Sequence, residues 1–275
     1  MQREIIDDLR YALDPVAFAR EICKKPPDPW QAQLLMGTSK RILLNCSRQS
    51  GKSTTSAILA LHRALFFPKS MIILVSHTQR QSDLLFKKVQ EFYELVPNQP
   101  KLPEDNKRSM KLRNGSWIVS VPGKGENIRG YSAVDLLIED EAAQVSDELY
   151  TAVLPMLATC NGKLMLMSTP YGKRGHFHTE WTGKGDWDRI KVTARECPRI
   201  TDEFLNDQIQ KMSEWEFKQE FLCEFGETLD SVFSFDLIQS VMDNTIEPLF
   251  PLSDYKLIIP GMGNDIEPLF KEETY

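Results

Sequence analysis

The stretch "LLNCSRQSGKSTTSAILA", residues 43–60, contains Gly51-Lys52-Ser53, the closing signature of a phosphate-binding P-loop, G-x-x-x-x-G-K-[ST]. Cys46 stands where the first glycine of that pattern belongs. A small residue there still permits a tight backbone path. The context is complete on both sides. "RILLNC" before the loop reads as a strand, and "KSTTSAILALHRAL" after it reads as a helix. Loop N–H groups and a helix N-terminus together form a nest for anionic phosphates. Ser47, Arg48, Gln49, Ser50, Gly51, Lys52, Ser53 and Thr54 are the residues expected to wrap ATP. Lys52 would reach the β- and γ-phosphates, and the Ser53 hydroxyl would hold Mg2+. A chance helix start is the alternative, but it gives no reason for a strand and a helix to flank the loop.

Working outward, apolar runs recur at "MIILVS" (71–76), "VDLLIED" (134–140) and "KLMLMS" (163–168), with helical stretches at 51–66 and 79–95. Short, nearly continuous apolar strands joined by helices predict a parallel sheet covered on both faces. "KLRNGSWIVSV" carries Asn114-Gly115 between strand-like runs and predicts a hairpin over 105–121. The first 36 residues read as helical, with Asp14 and Pro15 as cap and first-turn residue. Helices return after residue 200, as in "SEWEFKQEFLCEF". The tail after 244 is rich in Pro, Asp and Gly and repeats "IEPLF" at 246–250 and 266–270; chance or a paired binding element both explain it.

The formal net charge of −6 argues against a histone-like DNA coat, while leaving room for local basic patches. No apolar run approaches the roughly 18 residues needed to span a bilayer. The five cysteines are scattered, without C-x-x-C, which fits a reducing cytoplasm rather than a disulfide framework.

A P-loop needs an acidic partner at the end of another strand. In "LLIEDEAA" Asp140 would hold the metal's water shell, and Glu141 would polarise the attacking water as general base. Glu139 should point away from Asp140, since side chains alternate along a strand. A third element, Ser168-Thr169-Pro170, follows its own apolar run. Hydroxyls at a strand's C-terminal end sit where ligands bind in open α/β sheets, so Thr169 is a candidate γ-phosphate contact.

Together, "SRQSGKST" with an arginine inside the loop, "LLIEDEAA", "STP" after a strand and the late "FKQEFLCEF" resemble the large terminase subunit of tailed bacteriophages, over roughly residues 14–230. The resemblance implies an α/β P-loop NTPase of the RecA/ASCE-like kind: a mostly parallel sheet flanked by helices, with a small helical C-terminal lid. It implies an ATPase that moves double-stranded DNA into a capsid, using ATP and Mg2+. Implied partners are the portal protein, the small terminase subunit and other copies of the chain in a ring on the capsid. In isolation a monomer in the bacterial host cytoplasm is expected, with no membrane. "PDPWQAQ" resembles the adenine-recognition segment, with Gln31 as the contact to the base, and Arg129 in "ENIRGYSA" matches an arginine finger. The implied organisation is a helical segment with the adenine-recognition region (1–36), an ATPase core (37–200), a helical lid (201–243) and an irregular tail (244–275). The family's C-terminal nuclease domain is missing from this expectation. Asp236, Asp243, Asp254 and Asp265 lack a strand-rich domain to hold them, so no DNA cleavage is expected from this chain.

Two assignments rest on the residues themselves. Lys107, Arg108, Lys111 and Arg113 cluster on or beside the hairpin. They form either a DNA-phosphate grip or a merely solvated hairpin, with Lys87, Lys88, Lys173 and Arg174 next in line for DNA. Arg48 could act within its own subunit, whereas Arg129 precedes its strand and is better placed for a neighbour's nucleotide. The competing readings are a helicase-like translocase, which normally needs two tandem cores, and a non-hydrolysing ATP-binding switch, which has no need of Glu141. A small-molecule kinase would need an acceptor pocket that nothing in the sequence suggests.

Overall fold

The computed structural model describes residues 2–99, 101–122, 128 and 130–226. The chain enters through three helical pieces: α1 (Gln2–Leu13), α2 (Pro15–Ala17), which runs into a π-helical turn at Phe18–Ile22, and α3 (Pro29–Met36). Asp14 caps α2 by accepting a hydrogen bond from the Ala17 N–H at 2.9 Å, with Pro15 at the first position.

An eight-stranded sheet follows: β1 (Arg41–Cys46), β2 (Met71–Ser76), β3 (Glu104–Asp105), β4 (Ser109–Lys111), β5 (Trp117–Pro122), β6 (Leu136–Asp140), β7 (Lys163–Ser168) and β8 (Asp188–Val192). Its order is β3-β4-β5-β2-β6-β7-β1-β8, parallel from β5 to β8 and antiparallel at β3 and β4. The expected α/β fold is therefore present. The four apolar runs each form a strand, and α4 (Lys52–Phe66) and α5 (Gln79–Glu94) follow β1 and β2. β7 lies between β1 and β6, with Asn45 opposite Ser168 and Met167 opposite Asp140. That order sets the S-T-P turn between the P-loop and the acidic pair.

Two apolar layers cover the sheet. Ile42, Leu44, Ile72, Leu74 and Ile138 pack against α4 and α5, while Leu43, Ile73, Leu137 and Leu166 meet Val145, Leu149 and Phe177 on the other face. The second layer comes from α6 (Asp147–Val153) and α7 (Gly175–Thr182). Neither helix is anticipated from the sequence, and nor is β8. Past β8, α8 (Asp202–Lys211) and α9 (Glu214–Leu222) close a small third core around Leu205, Phe217 and Phe221. All five cysteines are free.

The hairpin forms as expected, with Gly115 at φ +85 in its turn. Asn114 fixes that turn to α4, its side-chain amide donating to the Ala64 and Leu65 carbonyls at 2.8 and 3.1 Å. The residue 227–275 assignments, namely the far end of the lid, the four tail aspartates and the IEPLF repeat, lie outside the described residues, as does Arg129.

Candidate nucleotide-binding site

β1 delivers the chain into the loop with Cys46 fully buried, so this residue closes the core and burial pushes its thiol up. The Ser47 N–H donates to the Val192 carbonyl at 2.9 Å, Gln49 adopts φ 59, and Gly51 adopts φ 97. A Cβ at Gly51 would stand 2.6 Å from Gln31 Nε2, so glycine answers both the backbone angle and the close approach. Behind this loop α4 begins, with its first N–H groups facing the concavity. The Ser47 and Ser50 hydroxyls are buried and meet no protein oxygen or nitrogen partner, only the thiols of Cys197 and Cys46, which suits a loop that receives an oxygen-rich ligand. Thr54, half-buried, completes the first turn of α4.

Three strand ends converge on the loop. Lys52, almost wholly buried, places Nζ 3.4 Å from Glu141 Oε1. Ser53 Oγ donates to Asp140 Oδ2 at 3.4 Å, and Ser168 Oγ to Glu141 Oε2 at 3.5 Å. Glu141 is held in a left-handed turn, φ 54 and ψ 42, by its own N–H bond to Asp140 Oδ1 at 3.0 Å. Thr169 is buried beside this group. Burial, and then the neighbouring Glu141 charge, push Asp140 up to about 6, against the pull of Lys52.

The donor set fits Mg2+. It offers a hydroxyl and a carboxylate oxygen side by side, and a cation there would offset the burial of Asp140. Among the described residues no group of three or more His, Cys, Asp or Glu side chains could by itself hold a metal ion. Mg2+ commonly draws most of its ligands from water and substrate phosphates, so a hydroxyl and one carboxylate are enough protein ligands for it.

Gln31 is buried against the loop, and its Oε1 accepts the Asp28 N–H at 2.9 Å in a capping box. Its carbonyl therefore serves α3, and the amide N–H2 is the end turned toward the phosphate loop. Arg48 is engaged elsewhere: its guanidinium pairs with Glu220 of α9, and its backbone N–H donates to the Glu220 carbonyl at 3.2 Å.

Two residues enter that the sequence reading missed. Arg199 grips Asp28 and donates to the Ser50 carbonyl at 2.9 Å, joining the segment after β8 to α3 and the phosphate loop. His176 binds Glu139, which lies on the face opposite Asp140 as strand alternation requires, at 2.8 Å. Burial raises Glu139, and the His176 bond opposes that rise. For His176 burial works against the charged ring, yet the bonds to Glu139 and Asp147 hold it above its usual range.

The hairpin basic residues lie elsewhere on the sheet. Lys107, Arg108, Lys111 and Arg113 are all exposed at its β3–β4–β5 edge. Arg108 faces Asp83 at 3.5 Å, and Arg113 Nε donates to the Lys101 carbonyl at 3.2 Å. Lys87 and Lys88 of α5 line an open cleft that also includes Ser53, Asp140 and Glu141.

Comparison with known proteins meets this geometry. The family described as "Terminase large subunit, T4likevirus-type, N-terminal" matches residues 43–240. The large terminase subunit of Thermus phage G20c is 22% identical over 251 residues, covering 78% of this chain and 52% of that protein. The chain thus spans about half the length of the curated relatives it matches. Among solved structures, the large terminase ATPase domain of Thermus phage P74-26 aligns with a TM-score of 0.67 at 20% identity, covering 78% of this chain and 100% of that one. The large terminase of another thermophilic bacteriophage, solved in complex with ADP, aligns with a TM-score of 0.61 at 12% identity, covering 72% and 54%. With its family match running from the phosphate loop through α9, the chain belongs to the terminase large-subunit family.

Proposed function

We propose that this chain is the ATP-hydrolysing motor domain of a viral terminase and that it drives double-stranded DNA into a capsid. The observation that carries the reading is the convergence of Lys52, Ser53, Asp140, Glu141 and Ser168 at the ends of three adjacent strands. The relative solved in complex with ADP supports a nucleotide there.

In this reading Lys52 leaves Glu141 for the phosphates of ATP, which frees the carboxylate to take a proton from water. Ser53 and Asp140 would hold Mg2+, which supplies charge neutralisation on the phosphates. Ser168 orients Glu141, Thr169 meets the γ-phosphate, and the amide of Gln31 reaches the base. The loop from Ser47 to Thr54 wraps the phosphates. Arg129 is the finger toward a neighbour's nucleotide, and Arg48 is the rival within the same subunit. The exposed hairpin residues grip DNA phosphates without reading sequence. The portal protein, the small terminase subunit and a ring of copies at the capsid, within the host cytoplasm, complete the reading.

ATPase assays with and without double-stranded DNA and empty capsids test it. Lys52→Ala should weaken ATP binding, and stimulation by DNA and capsids should appear only in proteins that hydrolyse. A chain that binds ATP without turnover would be a switch instead. For the fingers, Arg129→Ala and Glu141→Gln should each be nearly inactive and should recover activity on mixing. No recovery, together with a rate-critical Arg48→Ala, moves the finger into the same subunit.

A further inference from the structure

A polar chain crosses the apolar layer beneath the nucleotide site, and the chemistry above does not use it. His176 Nε2 lies 2.8 Å from Glu139 Oε1, and its Nδ1 lies 3.0 Å from Asp147 Oδ1. The His176 backbone N–H donates to the same Asp147 oxygen at 2.7 Å. Tyr150 stacks on the imidazole with centroids 4.3 Å apart, and its hydroxyl donates to Glu180 Oε1 at 3.0 Å. Glu139 is fully buried, and its second oxygen has no hydrogen bond. Well-packed apolar residues in place of such a buried pair are often as stable or more so, so stability does not account for it.

Placement does. Glu139 enters and Asp147 leaves the turn that holds Glu141 in its left-handed conformation. One imidazole therefore touches both flanks of that turn. His176 also follows Gly175, which sits at φ +72, at the exit of the turn that begins with Ser168-Thr169-Pro170. The two turns meet above, through Ser168 and Glu141, and are stapled below through His176.

We propose that Glu139 and His176 are positioning residues for hydrolysis: their bond sets the distance between the Glu141 turn and the Ser168–Thr169 turn, and so aims the carboxylate. The inference rests on Glu141 being the base. Displacement of a reacting group by about 1 Å can cost ~10²-fold in rate.

The test uses the full chain, with steady-state ATPase, fluorescent-ATP binding and thermal melting. Glu139→Gln keeps the bond, because its amide can donate to Nε2 while Nδ1–H serves Asp147. It should retain kcat within about twofold, since the geometry that matters is kept. The double variant Glu139→Leu/His176→Leu replaces the pair with apolar volume and should melt at or above the parent temperature. It should nevertheless lose kcat by ~10- to 100-fold, with KM and ATP affinity within about twofold. If it does not fold, the single Leu variants, compared at equal folded fraction, carry the same reading. Parental kcat in the folded double variant overturns the proposal, as does a Glu139→Gln protein as slow as the double. So does a KM that rises with the loss of kcat. Glu141→Gln is the reference. If it turns over normally, the base assignment falls and takes this inference with it. If it is dead while the double variant is fully active, the inference alone falls.

Discussion

The phosphate end of the sheet and its hairpin edge both carry charge, and they carry it in opposite ways. At the first, Lys52 and Asp140 are buried, and each of their bonds is to a named partner. At the second, Lys107, Arg108, Lys111 and Arg113 are exposed, with Lys111 on a three-residue strand and the other three in the bends and turn beside it. A buried charge interacts through a low dielectric and tolerates one geometry; an exposed one is screened and accepts many. The buried region therefore suits chemistry at a fixed atom, and the exposed one suits a backbone of repeating phosphates.

Mutations should separate the two regions by size of effect. The largest is expected at the base: Glu141→Gln should lower kcat by ~10²- to 10⁴-fold while ATP binding persists, read by steady-state hydrolysis beside equilibrium binding. Normal turnover would remove Glu141 from the chemistry.

Next comes Asp140. Its folded-state pKa, about 6, lies above the ordinary 3.8, so the folded protein holds this proton more tightly than the unfolded chain. The penalty is absent below about pH 4, grows as pH rises toward 6 and is complete above it. Asp140→Asn, measured by chemical denaturation in chelator at pH 7, should stabilise the fold by up to about 3 kcal/mol, and the gain should vanish near pH 4. A pH-independent gain would mean that burial is not the cause.

The hairpin should respond more weakly and through salt. Charge reversal at Arg108 and Lys111 should reduce the slope of log affinity for DNA against log salt by about 0.9 per lost contact. An unchanged slope moves the DNA surface to Lys87 and Lys88 or to Lys173 and Arg174. The smallest effect is expected at the Arg108–Asp83 pair, where replacing the exposed partner, Arg108→Ala, should change stability by less than about 1 kcal/mol on thermal melting. A larger loss would mark that edge as more rigid than its exposure implies.

The parts legible in the sequence were those whose cause is local. β1, β2, β6 and β7 are buried along nearly their whole length, so each carries at least three consecutive apolar residues. β8 is the sheet's other edge, and its "DRIKV" mixes exposed and buried positions, so the same rule passes over it. The P-loop and the acidic pair announce themselves by fixed spacing. Arg199 and His176 do not, because their partners lie far away in the chain: 171 positions from Arg199 to Asp28 and 37 from His176 to Glu139. Glu220, paired with Arg48 across 172 positions, is hidden for the same reason. Only the folded topology brings such pairs together.

The hydrogen bonds of Asn114 make α4 a lever arm. The helix runs for 15 residues from Lys52 to Phe66, roughly 22 Å of nearly incompressible rod. One end starts in the phosphate loop, and the carbonyls near the other are grasped by the hairpin turn. A tilt of about five degrees pivoted at the phosphate end would swing the far end by about 2 Å over that length. Ala57, Ala60, Leu61 and Ala64 of that helix are wholly buried, so any such tilt has to carry the packed core with it and cannot be confined to the two ends.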